Sequence, residues 1–157
     1  MVEECDAEIQ ANRYFSKRSF ERGITLQAMK LSLQGLMNYA ARFAALASEM
    51  AEREQDPRRR GELHEIAETC RRVPAYPART FREAMQCFWF MFMMVNPAPT
   101  PTIGRFDQYM YPFYKADIEA GRITNDEVLE LLGMLRIRCM EMSQQSGREI
   151  RKRTSGG

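Results

Sequence analysis

Histidine is almost absent from this chain: His64 is the only one in 157 residues. It stands between Glu62 and Glu65, with no Glu-x-x-His pair of the kind that holds a di-iron centre. The expectation is a solvent-facing side chain. The four cysteines, at 5, 70, 87 and 139, never fall at C-x-x-C spacing. A zinc site or a dithiol redox motif is therefore not suggested. No long hydrophobic run occurs. The longest, Phe88 to Val95, is far short of the roughly 20 residues that cross a bilayer. The start, Met1-Val2-Glu3-Glu4-Cys5, lacks the basic and then apolar order of a secretory leader. Charge of one sign is also lacking. A net charge of +2 argues for neither nucleic acid nor a membrane as partner. These absences together predict a reduced, cytoplasmic setting with no bound metal.

Val, Ile and Thr are sparse and no stretch alternates with period two, so strands are not expected. Ala and Met are abundant, and the chain reads as nearly all helix. The composition, 45% hydrophobic and 28% charged, is that of an ordinary globular domain. Residues Glu3 to Arg22 are polar and predict a helical lead-in over 1–23. A long amphipathic helix is expected from Ile24 to about Glu54. Its stripe is Leu26, Met29, Leu33, Leu36, Met37, Ala40, Phe43, Ala44, Ala47 and Met50, in steps of three and four. Asp56-Pro57 should open the next helix, with Asp capping and Pro at the first helical position. Leu63, Ile66, Ala67 and Cys70 form its apolar face, and Pro74 and Pro77 end it. Arg58, Arg59 and Arg60 are expected to be solvated.

Thr80 to Glu83 predicts a capping box. The helix it opens contains Phe88-Trp89-Phe90-Met91-Phe92-Met93-Met94-Val95, apolar on all sides. Such a helix belongs inside a larger protein. Asn96 to Ile103 is a proline-rich loop. Pro112 should start or kink a helix within Arg105–Ala120, and Gly121 reads as its C-terminal cap. Thr124 to Glu127 is a second capping box. It opens a helix to about Met142 with Val128, Leu131, Leu132, Leu135 and Cys139 on the apolar face. Residues 144–157 turn polar and basic and are expected to be a disordered tail. The main domain on this reading is 24–143.

Several stretches, in order, resemble one known family. Pro77-Ala78-Arg79-Thr80-Phe81-Arg82-Glu83-Ala84-Met85-Gln86 followed by Phe88-Trp89-Phe90 is one. Gly104-Arg105-Phe106-Asp107-Gln108-Tyr109-Met110-Tyr111-Pro112-Phe113-Tyr114, continued by Asp117 to Thr124, is another. Tyr39 to Ala44 and the span from Asp56 to Pro74 also fit. All of them resemble the glycyl radical enzymes of the pyruvate formate-lyase type. The resemblance covers about residues 17–143, and several long motifs in order are far more specific than one short pattern.

The resemblance implies a mostly α segment that, in the full-length family, wraps a ten-stranded α/β barrel. It implies a parent that cleaves C–C, C–N or C–O bonds of a small molecule, as choline trimethylamine-lyase, glycerol dehydratase and arylacetate decarboxylases do. The parent would be homodimeric and would use a protein glycyl radical installed by a radical-SAM activase. The Gly-Cys-x-Glu finger loop and the C-terminal radical-glycine motif that this chemistry needs are not in this sequence. Cys139-Met140-Glu141 has the C-x-E spacing, but Arg138 stands where Gly belongs. Residues i and i+2 of a helix also point about 200° apart. No catalytic residue and no bound cofactor are therefore expected.

One position has functional interest. Many relatives carry a serine that lines the substrate cavity in the loop before Gly104. Counting back from Gly104, Thr100 takes that place, and its hydroxyl can donate to a substrate oxygen. The rest of the loop differs, so no known substrate carries over. Arg105 and Asp107 are expected to pair at the start of the next helix. The leading expectation is an inert internal segment of a glycyl radical enzyme. The rivals are a self-standing helical protein-binding module and one piece of a split enzyme. The rivals differ in whether Phe88–Val95 is covered, since a stable monomer must bury it.

Overall fold

The computed structural model describes residues 1–12, 16–95 and 103–143, with side chains to 141. Six helices and no strand occur among them: α1 (Val2–Ala11), α2 (Lys17–Arg53), α3 (Pro57–Arg72), α4 (Phe81–Val95), α5 (Phe106–Glu119) and α6 (Asn125–Ser143). They fall into two units, Met1–Met94 and Val95–Gly157. The tail expected at 144–157 and the loop residues 96–102 lie outside the described residues.

In the first unit α2 is the spine. It starts at Lys17, earlier than the Ile24 expected, and runs straight through Gly23. The reason is a cap that the sequence pattern concealed. The Ser16 hydroxyl accepts from the Ser19 amide at 3.2 Å, and the Ser19 side chain accepts from the Ser16 amide at 3.0 Å. This is a capping box with serine in the place usual for Glu or Gln. α1 packs on α2, tied by Lys30 to Asp6 at 2.5 Å and by an Arg22–Glu8 pair.

Asp56 caps α3 through its carboxylate, which accepts from the Arg58 amide at 3.0 Å, and Pro57 opens the helix as expected. α3 folds back on α2 along a seam of small residues. Ala40, Ala44, Ala47 and Ala51 of α2 face Leu63, Ala67 and Cys70 of α3, all buried. Small side chains let the two backbones approach closely. The expected stripes are wider than the buried ones. Met29, Phe43, Met50 and Ile66 are exposed, because α3 covers only a narrow arc of α2.

α4 buries Phe81, Ala84, Met85 and Phe90, and the last of these reaches the α2–α3 seam. Phe90, 2% exposed, joins Leu36, Ala40, Ala44 and Cys70. Its ring meets Tyr39 edge-on at 5.9 Å and Phe43 at 6.1 Å. The rest of the apolar run is only partly covered. Phe88, Trp89, Phe92 and Met93 are half-buried, while Met91, Met94 and Val95 are exposed.

The second unit holds α5 and α6. α5 begins at Phe106 and passes through Pro112, which forfeits one backbone bond without ending the helix. Gly121 follows its end at φ +65°, the left-handed conformation of a C-terminal glycine cap. Thr124 then caps α6. Its hydroxyl accepts from the Glu127 amide at 3.3 Å, and Glu127 accepts from the Thr124 amide at 2.8 Å. Met110, Ile123 and Val128 are buried in this unit. Asp117, 3% exposed, accepts from Arg122 Nε at 2.8 Å and holds the turn between the helices.

Candidate functional site

Two polar arrangements stand out, one in each unit. The first is at the start of α4. Glu83 is buried, with Arg79 and Arg72 around it. Arg79 donates from Nη2 to Oε1 at 2.6 Å and from its own amide to Oε2 at 2.7 Å, and Arg72 Nε lies 3.5 Å from Oε2. Thr80 caps the helix as expected, accepting from the Glu83 amide at 3.2 Å. Glu83, however, reaches back to Arg79 and not to Thr80. Burial pushes the Glu83 carboxyl up, but the Arg79 side-chain and amide bonds and the charges of Arg79 and Arg72 outweigh it, and the net shift is down. The group is thus a held carboxylate. It pins the α3–α4 connection and is not poised to exchange a proton. The sequence signal for it was the i, i+4 spacing of Arg79 and Glu83.

The second arrangement borders the proline-rich loop. The Tyr109 hydroxyl donates to the Ile103 carbonyl at 2.8 Å, and Gly104 takes φ +61°. Arg105 grips Asp107 from Nε at 3.1 Å and Nη2 at 2.9 Å, the pair expected from the sequence. That fork lowers the Asp107 carboxyl below its ordinary value and raises the Arg105 guanidinium. Both side chains are exposed, so the pair orients the first turn of α5 and contributes little stability. Thr100, the expected substrate-binding residue, lies outside the described residues.

The remaining candidates are not brought together. His64 is exposed on α3. Cys70 is buried, and loss of solvation pushes its thiol up to about 11. Burial raises Cys87 as well. Cys139 is raised by burial against a smaller lowering by Arg136, and Glu141 pairs with Arg138 at 2.9 Å. Cys139 and Glu141 stand two residues apart on α6, so their side chains point away from each other, and Glu141 is tied to Arg138; the two do not converge on one substrate. The residues present do not fit the Gly-Cys-x-Glu loop that a radical relay occupies. Among the described residues, no cluster of His, Cys, Asp or Glu could hold a metal ion. None of the described helices is long and apolar enough to cross a membrane.

Comparison with known proteins places the segment. The sequence profile described as pyruvate formate lyase-like matches residues 1–157. The isethionate sulfite-lyase of Nitratidesulfovibrio vulgaris is 46% identical over 112 residues, which are 68% of this chain and 13% of that protein. The trans-4-hydroxy-L-proline dehydratase of Clostridioides difficile is 36% identical over 121 residues, 74% of this chain and 15% of that one. A glycyl radical enzyme from Archaeoglobus fulgidus superposes with a TM-score of 0.79 at 38% identity, over 85% of this chain and 18% of its own. The chain therefore spans between about an eighth and a fifth of each of these relatives. It belongs to the pyruvate formate lyase-like family of glycyl radical enzymes, as a helical part of that fold.

Proposed function

We propose that this chain is the helical segment preceding the cysteine finger of a glycyl radical enzyme and performs no chemistry by itself. In the complete enzyme it forms part of the wall around the barrel, and its 96–103 loop places the Thr100 hydroxyl against the substrate. The parent is a lyase, dehydratase or decarboxylase acting on a small molecule, and works as a homodimer in the cytoplasm. Its thiyl cysteine and radical glycine lie on segments outside these residues, where a radical-SAM activase installs the radical. The remainder of the enzyme is this segment's partner.

The observation that supports this reading is the open apolar helix α4. Phe90 is 2% exposed, whereas Met91 and Val95 are 53% and 56% exposed. A self-contained binding module would have closed its core over that run. The split-enzyme reading shares this feature, and differs only in whether the remainder is on the same polypeptide.

The test is a chimera. The isethionate sulfite-lyase of Nitratidesulfovibrio vulgaris would carry this chain in place of its own matching segment. After incubation with its activase and S-adenosylmethionine, the chimera is expected to show the glycyl radical doublet in electron paramagnetic resonance, and the isolated chain none. A doublet from the isolated chain, or an intact chimera that never acquires one, would refute the assignment.

A further inference from the structure

Gly133 sits in the middle of α6, where glycine weakens a helix relative to alanine. A Cβ built there meets nothing within 4 Å, so no described residue accounts for the glycine. It occupies the centre of the i, i+4, i+8 row Leu129–Gly133–Ile137. Leu129 and Ile137 are 66% and 60% exposed, and Met134 beside them is 57% exposed. The covered side of α6 is the opposite one, with Val128 buried and Leu131, Leu132, Leu135 and Cys139 half-buried. The helix is thus apolar on two faces, and only one of them is used within its own unit.

A notch between two large side chains on an i±4 ridge receives a neighbouring ridge when two elements pack closely. The occupant is narrowed by what surrounds the row. Glu130 and Arg136 flank it with opposite charges, which does not suit a partner of one sign. Lipid is also disfavoured as a spanning environment, since no described helix qualifies. The residues matched make up only 13–15% of the relatives that share this segment, so most of their polypeptide is available to cover it.

We propose that the Leu129–Gly133–Ile137 row, with Met134, seats an apolar element of the remainder of the enzyme, packed close over Gly133. This rests on the reading of the chain as one segment of a glycyl radical enzyme.

The isolated chain provides the first arm of the test. Gly133→Ala should raise its thermal midpoint by about 2–4 °C, since helix propensity improves and nothing is displaced. A lowered midpoint would overturn the proposal, because the notch would then be filled within the chain. Sedimentation of the isolated chain with and without Ile137→Glu should show no association that the substitution abolishes. A dimer abolished by Ile137→Glu would give the seat to a second copy and overturn the proposal too. The chimera provides the second arm. Gly133→Leu, a better helix former, should keep the isolated chain helical yet lower the chimera's radical content and lyase activity at least tenfold. Arg136→Ala, at the edge of the row, should change neither. Full activity in the Gly133→Leu chimera refutes the seat. An unsubstituted chimera without radical instead refutes the segment assignment, and the isolated-chain results then stand on their own.

Discussion

Glu83 is the residue on which the first unit's polar economy turns. Its carboxylate is held by Arg79 and Arg72 at the junction of α3 and α4, and its folded-state value lies below that of an exposed glutamate. A depressed value means the stabilisation is complete above the unfolded-state value. It is lost as pH falls through the folded-state value. Urea unfolding of the wild-type chain should therefore show stability declining below the ordinary glutamate range. Glu83→Gln should flatten that decline and cost about 1–3 kcal/mol at neutral pH, because Arg79 loses a charged acceptor and Arg72 the carboxylate charge beside it. Thr100 answers to a different measurement. Thr100→Val in the active chimera removes one neutral hydrogen bond to substrate, worth about 0.5–1.5 kcal/mol. It is expected to lower kcat/KM by roughly 2–13-fold, while radical content stays at the wild-type level. Unchanged kcat/KM would remove Thr100 from the cavity wall.

At the scale of elements, the response to added atoms depends on the space and backbone conformation at each position, not on the element that carries it. Ala51 is fully buried on the α2 side of the seam. Ala51→Leu forces the helices apart and should cost about 1–3 kcal/mol in urea unfolding. Gly121→Ala places a side chain at φ +65° and should cost about 1–2 kcal/mol. Gly61→Ala, inside α3 with open space around it, should instead stabilise by about 0.4–1 kcal/mol. Helix ends of this kind were readable from the sequence, because Asp56-Pro57, Thr124-x-x-Glu127 and Gly121 each carry their own local chemistry. The start of α2 was hidden, since a Ser16–Ser19 pair does the work that a Ser-x-x-Glu pattern advertises. Which apolar positions become buried was hidden too. Periodicity places Met29, Met50 and Ala47 on one face, but only the neighbouring helix decides that Ala47 is covered and the methionines are not. The Arg79–Glu83 bond shows the same limit. The spacing permits it, yet the capping-box pattern pointed Glu83 at Thr80.

For the molecule as a whole, the decisive matter is how a chain of this length carries a helix such as α4. Phe81, Ala84 and Met85 are buried at its start, and within the aromatic run Phe90 is the buried residue, beside Tyr39, Phe43 and Cys70. Trp89, the single tryptophan, is half-buried and stacks near Phe92 with ring centroids 6.0 Å apart. Two kinds of substitution on this one helix should therefore separate. Phe90→Ala removes a buried ring and should cost about 3–5 kcal/mol, enough to unfold a marginal domain. Met91→Gln with Met94→Gln alters exposed positions and should change stability by less than about 0.5 kcal/mol. The same double substitution should markedly reduce binding of an apolar fluorescent dye by the native isolated chain, with the near-ultraviolet signal of Trp89 preserved. Dye binding together with a fixed Trp89 environment distinguishes an open but ordered face from a molten one. A wild-type chain that binds no dye would mean the aromatic run is covered after all. That would favour a self-contained module over a segment awaiting the rest of its enzyme.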